Sequence, residues 1–361
     1  MSKPILAMVG DLHLARHAWA RHPSLWGDAY YALEQILAYC LAKKTPLILA
    51  GDVLDSAQPS AETVRVVRTF LNCMEEAALR VFVVAGQHDR ASPNWLQAIH
   101  PWATHVDQRQ FTVAGLRWYG LDWRPEGEIH KELACVPTDT EAVVAHQVWG
   151  DLVGPVIRSE CRFAEVPRAR LLLTGDYHKH VRAASKGAGG QDLAVLSPGA
   201  TAQQAVDEPV EKFFFALCDD GVVESVPLLS RPFRRFELSN ADQLDAFLAG
   251  AVQHLELDLS LPDHLQRPAL WIRYDAEIPG VYDRLAAEVG GEAHLFLSPV
   301  RPRAVEQAVP PEARRECGGH MVDSLRLVCE PDSAVYRDAV RLLASGDAAS
   351  ELMTMRSECG L

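Results

Sequence analysis

An α/β fold is the reading that two features of this sequence support together. Short apolar runs rich in β-branched residues alternate with longer segments whose apolar residues recur at helical spacing. Five of the short runs stop abruptly, at a glycine or directly at an Asp, Gln or His side chain. Buried strands whose C-terminal ends present polar groups to a shared site give this pattern. With 361 residues the chain is long enough for a well-buried core and for two domains.

Composition narrows the class. Hydrophobic residues make up 48% and charged residues 23% of the chain, the balance of an ordinary globular protein. No apolar run approaches the roughly 20 residues that span a bilayer, so no membrane partner is expected. The opening segment Met1-Ser2-Lys3-Pro4-Ile5-Leu6 runs straight into a strand with no signal-cleavage pattern, which predicts a cytoplasmic protein. The eight cysteines are scattered without a CxxC pair and read as reduced thiols. A net charge of −13 argues against a general nucleic-acid coat. It leaves local contacts open, because carboxylates gathered around cations inflate the count.

The first run, residues 4–10, delivers Asp11-Leu12-His13. Alternate residues of an extended segment share a side, so Asp11 and His13 can grip one ion. The loop beyond holds Arg16, Arg21, Trp19 and Trp26, a basic and aromatic composition that suits phosphates and stacked bases. An ordinary solvated loop fits it equally. A helix is predicted over residues 28–42, then a strand over 46–50 ending in Gly51-Asp52-Val53-Leu54-Asp55. Asp52 can bridge two cations, since a carboxylate carries two oxygens, and Asp55 fits a supporting role beside it. Ser60 starts a second helix whose stripe of Val64, Val67, Phe70, Leu71 and Met74 reads as core or as a dimer surface.

Residues 80–85 form a third strand that ends in Gly86-Gln87-His88-Asp89. Gln87 offers a carbonyl ligand, and His88 is placed to meet a substrate phosphate. Asp89 can hold the His88 imidazole in one tautomer and raise its pKa. A hairpin is predicted over 111–121, and the run 142–145 ends in His146. Residues 150–168 read as a loop over the site. Residues 171–174 then end in Gly175-Asp176-Tyr177-His178-Lys179-His180, where Asp176, His178 and His180 share one parity. Asp176 and His178 are the preferred ligands of the three. A second hairpin turns at Asp219-Asp220-Gly221. Carboxylates, an amide and imidazoles without a thiolate describe a two-metal centre and not structural zinc. Such paired ions activate water and neutralise charge on a phosphoryl group in flight.

The motifs DLH, GDVLD, GQHD, the isolated His146 and GDYH, in that order, resemble the five motifs of calcineurin-like metallophosphoesterases. Within these the chain looks like the SbcD-like DNA-repair exonuclease branch. Ser197-Pro198-Gly199-Ala200-Thr201 is similar to the turn that follows the last motif there. The resemblance covers roughly residues 1–230 and implies a four-layer sandwich, two β-sheets flanked by helices. It implies one ion held by Asp11, His13, Asp52 and His178, and a second held by Asp52, Gln87, His146 and Asp176. His88 would stabilise the transition state or protonate the leaving oxygen, with Asp89 behind it. The sequence departs from the family pattern at Gln87, where asparagine is usual, and at Asp176, where histidine is usual. The exchange makes the second site harder and more anionic, favouring manganese or magnesium over zinc, or else it marks a weakened site.

Beyond residue 230 the pattern changes to a smaller α+β unit, residues 231–361, which matches the cap-like domain of the family in position and size. Arg231, Arg234 and Arg235 form a basic knot at the junction, suited to a phosphate backbone or to a solvated linker. Helices are predicted over 241–248 and 281–289, strands over 270–274, 293–297 and 322–329, and a helical tail over 334–355. The expected function is a manganese-dependent DNA nuclease. The resemblance further implies an SbcC-like SMC-type ATPase partner and a homodimer, with residues 60–78 as the place to look for the dimer contact. A small-molecule phosphodiesterase or phosphatase, and a scaffold subunit with a decayed second metal site, stand as alternatives.

Overall fold

The computed structural model describes residues 2–15, 25–154, 157–250, 255, 257 and 260–300. The chain divides into two units, Met1–Pro299 and Val300–Leu361. Arg16 and Arg21, the strand expected over 322–329 and the tail expected over 334–355 lie outside the described residues.

The first unit begins with β1 (Pro4–Val9), α1 (Trp26–Lys43), β2 (Leu47–Ala50), α2 (Ala61–Glu76), β3 (Val81–Val84), α3 (Trp95–Ile99) and β4 (Ala103–His105). Next come β5 (Gln110–Val113), β6 (Leu116–Leu121), α4 (Glu126–Ala134), β7 (Ala142–His146), α5 (Gly150–Val153), β8 (Leu171–Gly175), β9 (Val181–Lys186) and β10 (Asp192–Ser197). The series closes with β11 (Lys212–Cys218), β12 (Val223–Leu228), β13 (Phe233–Leu238), α6 (Ala241–Ala249), α7 (Asp263–Gln266), β14 (Ala269–Asp275), α8 (Val281–Glu288) and β15 (His294–Val300).

Two six-stranded sheets carry the fold, in the orders β12-β11-β1-β2-β3-β4 and β5-β6-β7-β8-β10-β9. Strands β1 to β4 run parallel to one another. So do β6, β7, β8 and β10. The period of two along each strand builds the layers. Ala7, Val9, Leu47, Leu49, Val81 and Val83 pack with Leu33, Ile36, Val67, Phe70 and Met74 of the helices. Their alternates Leu6, Met8, Ile48, Ala50, Phe82 and Val84 pack instead against Ala142, Val144, Leu173 and Leu196 of the second sheet. Val143, Ala145, Leu172 and Val195 face the other way, onto Ile129 and Leu133 of α4 and onto Trp149. The result is helices, sheet, sheet, helices. Each fully buried Val, Leu or Ile in these layers contributes about 1.5–3 kcal/mol.

Parallel strands put all their C-terminal ends at one edge, so the polar residues after β1, β2, β3, β7 and β8 emerge together. Both hairpins form where the turn residues place them, β5–β6 at Ala114-Gly115 and β11–β12 at Asp219-Asp220-Gly221. The segment between Gly150 and Arg168 is not wholly irregular: α5 opens it and a single 3₁₀ turn spans Phe163–Glu165. Ser60 caps α2, its Oγ accepting from the Thr63 amide at 3.1 Å. The apolar stripe of α2 is core: Val67 is 1% and Phe70 4% exposed, so these two side chains offer no surface to a dimer partner.

A third sheet, β13-β14-β15, has its own core of Leu244, Phe247, Leu270, Ile272 and Leu285. The arginine knot lies here, and two of its members are corrected. Arg231 is buried, forking onto Asp28 Oδ1 and Oδ2 at 2.9 Å while its remaining N–H groups reach the carbonyls of His264 and Arg267. It staples α1 to α7 and is not exposed to a phosphate backbone. Burial still pushes the Asp28 carboxyl up from its ordinary value, against the pull of Arg231. Arg235 lies at the surface, but its guanidinium donates to the carbonyls of Val206 and Glu208. Arg234 is half-buried on the same strand.

Candidate metal centre

Every one of the five strand ends delivers its side chain to one place. Asp11, His13, Asp52 and Asp176 all sit in the left-handed backbone region, with φ of 44°, 44°, 47° and 74°. For residues with a Cβ this conformation is costly, and it clusters where side chains must be aimed by the turn. The loop after β1 continues to pair with the loop after β2, the His13 amide donating to the Asp52 carbonyl at 2.9 Å. Pairing beyond the strands brings Asp11, His13 and Asp52 side by side.

Asp52 is the hub. Its Oδ1 accepts the His88 amide at 3.0 Å. Its Oδ2 lies 3.6 Å from His13 Nε2 and 3.3 Å from His146 Nε2, between the two imidazoles. Three imidazoles are fixed through Nδ1. His13 Nδ1–H donates to Asp55 at 3.1 Å, His178 Nδ1–H to Glu208 at 2.6 Å, and His146 Nδ1–H to the Ala50 carbonyl at 2.7 Å. Each such bond commits the Nδ1 proton and turns Nε2 inward, where it can offer a lone pair to a cation. The Nε2 atoms of His13 and His178 lie 3.2 Å apart, within hydrogen-bond distance.

Glycines shape the pocket around His146. A Cβ on Gly51 would stand 2.2 Å from His146 Nδ1, and one on Gly175 would stand 2.4 Å from it. No side chain fits at either position while the ring stays where it is.

The electrostatics follow from packing. Burial raises the Asp11 carboxyl above its usual range. Asp52 is also buried, yet His146 and His13 and the amide of His88 outweigh that and lower it. For His146, burial opposes the charge, and the surrounding Asp52, Asp11 and Asp176 overcome it and raise the imidazole well above its ordinary value. Burial would raise Glu208, but His178 and Lys212 bring it down to about 2.

The donor set fits divalent cations. Asp11 Oδ2, Asp52 Oδ2, Asp176 Oδ2 and His146 Nε2 are buried without a hydrogen-bond partner among the described residues. Converging buried polar atoms without hydrogen-bond partners are each costly, and a cation between them removes the cost. Ligand-capable atoms gather as Asp11, His13 and His178; as His13, Asp52 and His88; and as Asp11, Asp52 and His146. The two departures from the family pattern touch each other, Gln87 Nε2 donating to Asp176 Oδ1 at 2.7 Å. Asp176 lies 3.8 Å from His146 Nε2.

His88 is exposed at the rim, its ring edge-on to His13 with centroids 5.0 Å apart. Its Nδ1–H donates to the Asp55 carbonyl at 3.2 Å. Asp89 is therefore corrected. It is fully buried and does not hold the His88 ring. Its two oxygens accept the amides of Gly86 at 2.7 Å and Val53 at 2.8 Å, tying the loop after β3 to the loop after β2. Burial, with Asp52 nearby, pushes its carboxyl up to about 7. His180 is committed elsewhere, bonded to the Pro198 carbonyl and Ser225 Oγ and packed on Phe215.

Sequence reasoning missed Glu208. It lies 30 residues beyond His178, outside any motif, and the only local signal was an acid followed four residues later by Lys212.

Residues 6–180 match the family model Calcineurin-like phosphoesterase. Over that span, a little under half of the chain, the sequence is similar to calcineurin-like phosphoesterases, and the candidate metal ligands of β1, β2, β3, β7 and β8 all fall inside it. Among solved structures, a novel archaeal phosphodiesterase is similar at 11% identity and a TM-score of 0.36, over 62% of this chain and 99% of its own. The protein TT1561 of Thermus thermophilus is similar at 14% identity and a TM-score of 0.40, over 63% of this chain and 99% of its own. Among curated proteins there is no match.

Proposed function

We propose that this chain is a two-metal phosphodiesterase that cleaves DNA, an SbcD-like nuclease. The observation that carries the reading is the single oxygen Asp52 Oδ2, buried, without a hydrogen-bond partner among the described residues, and set between His13 and His146. In this reading Asp11, His13, Asp52 and His178 hold one ion, and Asp52, Gln87, His146 and Asp176 hold the other. Divalent ions, manganese or magnesium, would supply Lewis acidity and water activation when bound. The chain's own residues do the rest. Asp55 and Glu208 keep the His13 and His178 rings turned with Nε2 inward. Ala50 does the same for His146. His88, at the rim with its Nδ1 proton committed to the Asp55 carbonyl, gains or gives a proton at Nε2 and serves the leaving oxygen.

DNA as substrate rests on the order of the five motifs. Residues 1–230 are read as the catalytic part and 231–361 as a cap-like part. An SbcC-like ATPase and a second copy of the chain are its proposed partners, in the cytoplasm. A second reading, a phosphodiesterase for a small molecule, is favoured by a cavity of about 290 Å³ beside the centre. It is lined by Val148, Val153, Tyr177 and Lys179 together with Asp176 and His178. The scaffold reading is disfavoured by the number of unpartnered donors still present.

The test is manganese-dependent cleavage of end-labelled single- and double-stranded DNA, beside hydrolysis of bis(p-nitrophenyl) phosphate, with Asp52→Asn as control. Label release that requires Asp52 supports the nuclease. Hydrolysis of the small diester alone moves the assignment to the second reading. Inactivity on both, with a single ion bound per chain, would establish the scaffold.

A further inference from the structure

We propose that Glu208 is a positioning residue for the ion at His178, and that Arg235 of β13 holds it in place, tying the third sheet to the metal centre. The inference rests on the reading above that His13 and His178 face a divalent cation.

Glu208 is 5% exposed, and each of its oxygens has a task. Oε1 accepts from His178 Nδ1–H at 2.6 Å. Oε2 accepts from Lys212 Nζ at 3.0 Å and from the Gln204 amide at 2.9 Å. A buried ion pair is a weak source of stability, because desolvating both charges costs about what their attraction returns. The third partner explains its presence. A carboxylate on Nδ1 selects the tautomer with the lone pair on Nε2 and makes that lone pair a better donor. Asp55 plays the matching part for His13, so the Nε2 atoms of the two imidazoles are brought to 3.2 Å of each other, where one cation can take both.

The main chain of Glu208 is held from elsewhere. Arg235 donates from Nε to the Val206 carbonyl at 2.5 Å and from a terminal nitrogen to the Glu208 carbonyl. Gln203 Nε2 adds a bond to the same Glu208 carbonyl at 3.3 Å. Residues 205–208 thus hang between β13 and the metal centre. A shift of that strand is felt at His178 through two hydrogen bonds and one carboxylate.

The experiment uses the full chain. Manganese is titrated into wild type, Glu208→Ala, Glu208→Gln, Arg235→Ala and the Glu208→Ala/Arg235→Ala double variant, with free ion followed by electron paramagnetic resonance. Glu208→Ala is expected to weaken one of the two ions by about 10–100-fold and spare the other. Glu208→Gln, which keeps an acceptor without the charge, should fall between it and wild type. Arg235→Ala should weaken the same ion by less, and add nothing in the Glu208→Ala background. Wild-type affinity in Glu208→Ala, or a full additional loss in the double variant, would overturn the proposal. In parallel, the His178 tautomer is read by ¹⁵N NMR in metal-free protein. Loss of the Nδ1–H form in Glu208→Ala supports the positioning role even where hydrolysis of every diester fails, and an unchanged tautomer overturns it. Folding of each variant is checked by circular dichroism, and Glu208→Gln carries the test if Glu208→Ala does not fold.

Discussion

The two halves of the candidate centre use similar donors and support them differently. In the half built on His13 and His178, side-chain carboxylates stand behind both rings: Asp55 at 3.1 Å and Glu208 at 2.6 Å. In the half built on His146, the ring is backed by a main-chain carbonyl, Ala50 at 2.7 Å, and walled by Gly51 and Gly175. Its other donors, Gln87 and Asp176, are bonded to each other. One half is held by charge and the other by shape. A carboxylate strengthens the imidazole it touches, and a rigid wall only aims it. The first half should therefore hold a cation through basicity, and the second through the placement of oxygen ligands.

The largest effect is expected at the residue both halves share. Asp52→Asn should lower kcat/KM for any cleaved diester by on the order of 10³ and reduce both bound ions, measured by steady-state kinetics and elemental analysis. Equal loss from the two halves fits the hub; loss from one half alone would break it.

Next is the wall. Gly175→Ala puts a Cβ 2.1 Å from the Ala50 carbonyl and 2.4 Å from His146 Nδ1. Overpacking of this kind costs about 1–3 kcal/mol, read as a lower urea midpoint, and the His146 half should lose its ion preferentially. An intact midpoint would mean the ring moves freely and shape does not hold it.

Asp55→Asn tests the charge-held half. It should weaken the ion at His13 by about 10–100-fold with little change in fold stability, measured by calorimetric titration. The smallest effect concerns Gln87 and Asp176. Gln87→Asn and Asp176→His, singly and together, form a cycle whose coupling in metal-binding free energy is expected at about 0.5–3 kcal/mol. Additivity would show that the 2.7 Å bond between them is incidental.

Much of this was legible in the sequence. The runs 4–10, 46–50, 80–85, 142–145 and 171–174 all became strands, because a short β-branched apolar run that stops at a glycine or a polar ligand is a local signal. Asp11 and His13, and Asp176 and His178, do reach one edge, but turns with left-handed φ at Asp11, His13 and Asp176 aim them, and the alternation of an extended strand does not. The α2 stripe was legible as core or as a dimer surface, and only the burial of Val67 and Phe70 chose core, since the two look the same in either setting. The weakly patterned strands β4, β9 and β13 escaped because three to six mixed residues carry little periodicity. Asp89 was read from its neighbour His88, but its partners are amides, and main-chain donors leave no trace in a sequence.

The sequence by itself determined which residues would reach the centre: a strand that ends in glycine and a ligand aims that ligand wherever parallel strands end. Tertiary structure decided what stands behind them. Glu208 reaches His178 from 30 residues away, Ala50 reaches His146 across 96, and Arg231 is drawn into a pair with Asp28 across 203. Contacts at such separations follow from how the two sheets and the third one pack, and no local period encodes them.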